Sequence, residues 1–179
     1  MHETIVNSKR LYAGKILTLD VNEVELPDGQ RSMREVIQHV GAVAVVALDP
    51  AGQVLLVRQF RSAARRVETE IPAGIRNPLE SPADCAIREL QEETGYRPGK
   101  LEPLGGLYTA PGYTTEYIHL FLATELTESR LPGDADEFIE LEHVPLQEAL
   151  ARIDRGEIED AKTVIGLLRL ARRLVSLTA

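Results

Sequence analysis

A chain of 179 residues has room for one domain with a sizeable core and a small extension, but not for two large domains. Its apolar fraction of 44% and charged fraction of 27% are those of an ordinary globular protein. No apolar run approaches the roughly eighteen residues that a membrane-spanning helix needs. The formal net charge of −8 disfavours binding to nucleic acid and to anionic lipid. We therefore expect no nucleic-acid partner and no membrane partner.

The N-terminus and the cysteine content both bear on the cellular compartment. The first ten residues contain neither the apolar stretch nor the small-residue cleavage site of a secretory signal. The single cysteine, Cys85, excludes an internal disulfide and a zinc site built from cysteines. We expect a cytoplasmic protein in which Cys85 fills a buried or half-buried position.

The first part of the chain is predicted to consist of β-strands. Alternating or continuous apolar residues give this pattern, and turn signals separate the segments. The strands are predicted at 16–26, 31–40, 42–48, 54–59 and 67–71. The turn signal Pro27-Asp28-Gly29 joins the first two strands into a hairpin. Pro72 ends the fifth strand, and a loop is predicted to follow it up to Glu80.

A helix is predicted to begin after that loop. Ser81 is a suitable N-cap, Pro82 suits the first helical position, and the Asp84 carboxylate favours the positive helix end. Gly95 supplies the stop.

The rest of the chain mixes strands and helices. Strands are predicted at 101–107, 117–126 and 138–144, and helices at 145–154 and 161–177. The last helix is predicted to bury one stripe of apolar residues: Val164, Leu167, Leu168, Ala171 and Val175. This mixture indicates an α/β or α+β sandwich.

Nine residues form the pattern G-x5-E-x7-R-E-U-x-E-E-x-G-U, in which U is a bulky apolar or aromatic residue. They are Gly74, Glu80, Arg88, Glu89, Leu90, Glu92, Glu93, Gly95 and Tyr96. If each fixed residue type has a usage of about 5 to 7%, chance gives such a match in on the order of one sequence in ten million.

Helix geometry gives a reason for the spacing of the three neighbouring glutamates. Each residue turns a helix by about 100°, so Glu89, Glu92 and Glu93 share one face. We expect the adjacent apolar face to point into the core and the acidic face to point outward. A solvated acidic face is the ordinary alternative. The mutual repulsion of the carboxylates favours instead a bound cation, and carboxylate oxygens suit Mg²⁺.

The nine-residue pattern resembles the Nudix box, the loop-helix-loop signature of the Nudix hydrolase superfamily. The resemblance implies an α/β/α sandwich around a mixed sheet, with the N-terminal hairpin as an extension. We expect residues 1–40 to form this β extension and residues 41–179 to form the Nudix domain.

The resemblance also implies roles for the box residues. The carboxylates of Glu89 and Glu93 and the carbonyl of Ala73 would bind divalent metals, Mg²⁺ or alternatively Mn²⁺, with Glu92 close by. Arg88 would orient an acidic neighbour rather than touch substrate. Glu80 would help to hold the loop.

A proline outside the box resembles a mark of the ADP-ribose pyrophosphatase branch. Pro111 lies 16 residues after the box glycine Gly95, although Ala110 replaces the serine that usually precedes it. Taken alone, Pro111 is equally explained as a loop turn. Glu116, at the end of the same stretch, is a further candidate for substrate binding. Other short stretches also resemble this branch: 41–46, 57–61, 70–74 and 160–163.

A basic cluster in an acidic protein is a candidate for binding phosphate. By resemblance Arg61 is placed to fork onto a phosphate or a terminal ribose, and Glu70 would face the sugar side of the pocket. Arg58 is a further substrate candidate in the same cluster, which Arg65 and Arg66 complete. Ordinary solvated arginines are the alternative, above all for the last two.

The catalytic base stays open at this point. The stretch 133–140 matches the place where relatives carry an additional metal-binding or water-activating carboxylate, and Glu137 is the nearest match. Many relatives have glutamate where this chain has Ala135. The base is therefore Glu137, Glu92 or a water activated by the metal.

The resemblance implies Mg²⁺-dependent hydrolysis of the ADP-ribose pyrophosphate to AMP and ribose 5-phosphate. The alternatives are hydrolysis of another nucleoside diphosphate sugar, such as GDP-mannose, and a non-catalytic domain that senses ADP-ribose. The hairpin resembles a segment that relatives exchange between subunits, which implies a homodimer.

Overall fold

The fold is described from a computed structural model, which covers residues 1–133 and 137–178. Two compact units make up the chain. The first consists of residues 1–41 together with 108–117, and the second consists of residues 42–107 and the chain from Ile118 onwards.

The first unit contains a three-stranded antiparallel sheet in the order β1-β2-β3. Its strands are β1 (Thr4–Ala13), β2 (Leu17–Glu25) and β3 (Arg31–His39). The predicted hairpin is confirmed, and Gly29 takes the left-handed conformation that its turn needs, with φ 84°. Strand β1 was not predicted from the sequence, and all ten of its residues are exposed.

The loop between Tyr108 and Tyr117 belongs to this first unit and runs along β3. The Ile37 N–H donates to the Tyr113 carbonyl at 2.8 Å, and the Thr115 N–H donates to the Ile37 carbonyl at 3.0 Å. The loop is therefore held by backbone hydrogen bonds to the N-terminal sheet.

The second unit contains two sheets. The mixed sheet has the order β7-β4-β9-β8, in which β4 runs parallel to β9 and antiparallel to β7. The other sheet is antiparallel and has the order β10-β5-β6. The strands are β4 (Ala42–Ala47), β5 (Gln53–Arg61), β6 (Arg66–Glu70), β7 (Ala73–Ile75), β8 (Tyr96–Tyr108), β9 (Tyr117–Glu128) and β10 (Ile139–Pro145).

Strand β4 separates the two halves of the core. All six of its residues are buried, as expected for a strand covered on both faces. Val43 and Val45 pack in the cluster that includes Leu90 of α1 (Pro82–Thr94). The alternate residues Ala44 and Val46 pack on the other face in the cluster that includes α2 (Leu146–Asp154) and α3 (Ala161–Thr178). This layering is the predicted α/β/α sandwich.

Helix α1 begins and ends where the sequence predicts. The Ser81 hydroxyl accepts a hydrogen bond from the Asp84 N–H at 3.1 Å, and Pro82 occupies the first helical position. Gly95 closes the helix with φ 80°.

Within the described residues no helix is long and apolar enough to cross a membrane.

The buried stripe predicted for α3 is partly wrong. Leu168 and Val175 are exposed, whereas Leu167 and Leu170 are fully buried. The buried face of the helix is rotated relative to the predicted stripe, and it also includes Thr163 and Gly166. A Cβ added at Gly166 would lie 2.9 Å from a methyl of Val46, so this glycine allows the helix to approach the sheet closely.

Candidate functional site

A single guanidinium ties together the acidic side chains around α1. Arg88 donates from Nε and Nη2 to the two carboxylate oxygens of Glu80, at 2.8 and 3.0 Å. Its Nη1 donates to Glu89 at 2.6 Å and to Glu92 at 2.9 Å. The hydrogen bond from Arg88 is the main cause that lowers the pKa of Glu80 to about 2. Arg88 therefore fixes three carboxylates at once.

The acidic face of α1 does not point into solvent, and that part of the expectation is wrong. Glu89 is 9% exposed and Glu93 is 7% exposed. The reason is strand β7, which α1 contacts along this edge. The Ala73 N–H donates to the Glu93 carboxylate at 3.0 Å.

Gly74 leaves the space that the Glu89 carboxylate fills. A Cβ at this position would lie 1.9 Å from Cδ of Glu89 and 2.1 and 2.3 Å from its two oxygens. Any other residue would overlap the carboxylate. Gly74 is therefore required by the side chain of Glu89, which follows it by fifteen positions.

Burial makes two of these carboxylates unusual. It is the main cause that raises the pKa of Glu89 to about 7 and that of Glu93 to about 8. The negative charge of Glu137 also contributes to both increases in pKa. A divalent cation beside Glu89 and Glu93 would favour their charged forms, so the donor set fits a hard cation that prefers oxygen ligands.

In the part of the chain that the structure describes, no group of three or more acidic, histidine or cysteine side chains is arranged to hold a metal ion. Arg88 engages both Glu89 and Glu92, which directs these two carboxylates toward the guanidinium. This agrees with the usual mode of Mg²⁺ binding, in which one or two carboxylates and the substrate phosphates share the ion.

A cavity of about 250 Å³ adjoins the carboxylates. Glu92, Glu93 and Glu137 contribute to its lining, together with Arg130. Pockets for drug-sized ligands have volumes of roughly 300 to 1,000 Å³, so this cavity takes only part of a nucleotide-sized molecule. Ala135 lies outside the described residues.

Arg61 and Glu70 lie together on the second sheet of the second unit. Arg61 donates from Nε and Nη2 to the two oxygens of Glu70, at 2.7 and 2.8 Å. Glu70 is only 2% exposed and also forms an ion pair with Lys162. The positive charge of Arg61 acts to lower the pKa of Glu93, against the larger effect of burial. Arg61 is therefore within electrostatic range of Glu93 on α1.

Arg58 is directed elsewhere. It lies three residues before Arg61 on β5, so the two side chains point to opposite faces. Arg58 pairs with Glu140 at 2.9 Å and with Glu142 at 3.6 Å, both on β10.

Pro111 and Glu116 lie in the loop of the first unit. Glu116 accepts a hydrogen bond from the Thr109 hydroxyl at 2.8 Å and lies 3.8 Å from Nε2 of His39. Pro111 is exposed. Both residues therefore share a unit with the N-terminal sheet.

Comparison with known proteins identifies the family. The NUDIX domain family matches residues 38–165, and the nucleoside diphosphate sugar hydrolase N-terminal domain family matches residues 3–37. The chain belongs to the Nudix hydrolase family. Nudix hydrolases generally use a divalent metal ion, in agreement with the oxygen donors found around α1.

Relatives of this Nudix hydrolase include enzymes named for two substrates. The ADP-ribose pyrophosphatase of Bacillus subtilis (strain 168) is 41% identical over 169 residues, which cover 93% of this chain and 91% of that protein. The GDP-mannose pyrophosphatase of Cronobacter sakazakii is 39% identical over 158 residues, which cover 82% of each chain. A solved structure, described as a crystal structure of ADP compounds hydrolase, has a TM-score of 0.88 at 24% identity. It covers 99% of this chain and 96% of its own, and confirms the fold.

Two charged residues, Arg130 beside the Nudix carboxylates and Lys162 beside Glu70, were not singled out from the sequence. Arg130 lines the cavity but lies outside every motif that the sequence analysis used. Lys162 lies in the stretch 160–163, which resembles the ADP-ribose pyrophosphatase branch but has no assigned role there. Its partner Glu70 is 92 residues away in the chain, so no local pattern could have found the pair.

Proposed function

We propose that this Nudix hydrolase cleaves the pyrophosphate of ADP-ribose with Mg²⁺ and releases AMP and ribose 5-phosphate. The observation that carries the proposal is the buried pair Glu89 and Glu93, held against β7 next to an acidic cavity. The relative from Bacillus subtilis, named ADP-ribose pyrophosphatase, supports this substrate because its match extends over 93% of the chain.

Glu89, Glu93 and the Ala73 carbonyl would hold the divalent cation together with the substrate phosphates, and Glu92 and Glu137 would become further ligands only once the substrate and the metal are bound. We take the ion to be Mg²⁺, with Mn²⁺ as the alternative. When bound, the cation offsets the negative charge that develops on the diphosphate and lowers the pKa of a nearby water.

The side chains of the protein position the reacting groups. Arg88 holds Glu89 and Glu92 in fixed orientations, and the Ala73 N–H holds Glu93. Arg61 is the group that would bind a phosphate oxygen.

The reaction forms a bond between the water oxygen and one phosphorus, and the bridging oxygen leaves with the other phosphate. Where the cation does not already activate the water enough to release its proton to solvent, a carboxylate must receive this proton. Glu92 and Glu137 both line the cavity and are the two candidates for this role.

The N-terminal β extension, residues 1–40, is proposed to form a homodimer through its exposed strand β1, while residues 41–179 form the catalytic domain. Ile5, Leu11 and Tyr12 of β1 are each more than half exposed, which supports an interface on this strand. Light scattering at micromolar concentration is expected to give the mass of a dimer. A monomer under these conditions would contradict the proposed assembly.

GDP-mannose is the second candidate substrate, because the relative from Cronobacter sakazakii is named GDP-mannose pyrophosphatase. A panel of nucleoside diphosphate sugars tests the choice, with products separated by chromatography in Mg²⁺ and in EDTA. ADP-ribose is expected to have the highest kcat/KM, and EDTA is expected to abolish turnover. A higher kcat/KM for GDP-mannose would replace the substrate. Equal turnover in EDTA would contradict the metal requirement.

A further inference from the structure

The stretch 160–163 forms the beginning of α3 and holds it to the strand that carries Glu70. The Asp160 carboxylate accepts hydrogen bonds from the Thr163 N–H at 3.0 Å and from the Thr163 hydroxyl at 2.6 Å, so Asp160 acts as the N-cap. The same hydroxyl accepts a hydrogen bond from the Ile71 N–H at 2.9 Å. Because Thr163 is fully buried, this connection has no competing water.

Lys162 extends the connection to Glu70 itself. Its ammonium forms ion pairs with Glu70 and, at 3.0 Å, with Asp160, and its side chain is 11% exposed. Burial acts to raise the pKa of Glu70. Arg61 and Lys162 together lower this pKa by more than burial raises it, so the carboxyl stays charged. Two cations therefore share one buried carboxylate.

The buried Glu70 carboxylate in turn fixes the orientation of Arg61. Its Nε and Nη2 are engaged by Glu70, which fixes the plane of the guanidinium. Its Nη1 has no hydrogen bond to any residue that the structure describes, and the side chain is 39% exposed. The two N–H groups of this Nη1 are therefore held in one direction and available to an anionic oxygen.

We propose that Lys162, anchored by Asp160 and Thr163, is a positioning residue that fixes Arg61 through Glu70 for binding a phosphate oxygen of the substrate. The inference rests on the proposed function, since it takes the anion to be the diphosphate. It assigns the stretch 160–163 a role in substrate binding, although none of its residues needs to touch the substrate.

A double-mutant cycle tests this coupling on the best substrate of the panel. Lys162→Met and Arg61→Met are each expected to raise KM by about tenfold, the value of one charge-assisted hydrogen bond, with a smaller change in kcat. The double variant is expected to be no worse than Arg61→Met, because Lys162 acts through Arg61. Losses that multiply would overturn the proposal. Lys100→Met is the matched control, because Lys100 also pairs with a carboxylate, that of Glu102, but its side chain is exposed.

A second readout does not depend on activity. The Nε–H signal of Arg61 in a ¹⁵N NMR spectrum, identified by its loss in Arg61→Met, is expected to exchange slowly with water. Lys162→Met should speed this exchange by about tenfold, while Lys100→Met leaves it unchanged. An unchanged exchange rate in Lys162→Met would overturn the proposal even if the protein hydrolysed none of the panel. Such inactivity by itself would contradict only the proposed function.

Lys162→Gln guards against misfolding of the methionine variant, because glutamine is neutral but still donates hydrogen bonds to Glu70. We expect a Lys162→Gln protein with native circular dichroism to show the same direction of change in KM and in exchange rate, but a smaller size. Wild-type values for both quantities in this folded variant would overturn the proposal.

Discussion

Replacing Gly74 by alanine isolates the contact between β7 and the Glu89 carboxylate. Normal contacts begin near 3.4 Å, and the new Cβ would lie 1.9 Å from Cδ of Glu89, so the carboxylate has to retreat by about 1.5 Å. Gly74 has no left-handed φ, so alanine incurs no backbone strain there. The hydrogen bond of 2.6 Å from Arg88 opposes the displacement.

A misplacement of about 1 Å costs catalysis on the order of 100-fold, so Gly74→Ala should lower kcat by that factor. It should also raise the Mg²⁺ concentration needed for half-maximal activity. Steady-state rates of ADP-ribose hydrolysis over a Mg²⁺ series measure both effects. Gly52→Ala is the matched control: Gly52 has φ 75° and no neighbouring atom within 4 Å, so alanine strains only the backbone. We expect Gly52→Ala to lower the melting temperature and to keep the activity. Gly74→Ala activity within threefold of wild type, with unchanged Mg²⁺ dependence, would refute the steric reasoning.

Three further predictions concern stability. Burial raises the pKa of Glu89 to about 7 and of Glu93 to about 8. Without metal, the protonated forms of these carboxyls favour the folded state, and this stability is lost as the pH rises through these values. Mg²⁺ should therefore raise the melting temperature more at about pH 8.5 than at about pH 6, and an equal increase would argue against a metal at these groups. Glu80→Gln should lower the melting temperature by roughly 2 to 6 °C and reduce activity, because Arg88 loses one of its three charged partners, the one that holds both its Nε and its Nη2; calorimetry showing no loss would count against this role. Gly166→Val should destabilise the fold by about 1 to 3 kcal/mol in urea unfolding, since it overpacks α3 against β4, and an unchanged midpoint would reject that packing.

Local signals in the sequence were sufficient for much of the fold. The caps at Ser81 and Gly95 predicted the bounds of α1 because capping depends on residues within one helical turn. The uninterrupted apolar run of β4 predicted a strand buried on both faces. These elements are determined by neighbours in the chain, which is why a single sequence is enough to find them.

Two strands could not be predicted because their sequences lack such signals. Strand β1 is exposed at every position, so no alternation of apolar and polar residues marks it. Strand β7 has only three residues and begins at Ala73, directly after a proline that reads as a break. Its pairing with β4 is a tertiary contact that the local pattern does not contain.

The sequence was sufficient to name residues of the candidate site, but not to predict that two of its glutamates are buried. The spacing of Glu89, Glu92 and Glu93 placed them on one helix face. A periodic pattern of apolar and charged residues predicts, however, that the charged residues are exposed to solvent. Burial of two of them follows from β7, which lies elsewhere in the sequence. The pair of Glu70 with Lys162 joins residues 92 positions apart and is visible only in three dimensions.

The central claim is that the buried carboxylates bind the divalent ion that hydrolysis requires. Its most direct test is the rate of AMP release from ADP-ribose over a Mg²⁺ series by the wild type, by Glu93→Gln and by the control Glu128→Gln, which changes an exposed residue of β9. We expect Mg²⁺-dependent turnover in the wild type and the control. For Glu93→Gln we expect a loss of about 1,000-fold or more with an unchanged circular dichroism spectrum. Near-wild-type turnover and Mg²⁺ dependence in Glu93→Gln would contradict metal binding by these carboxylates.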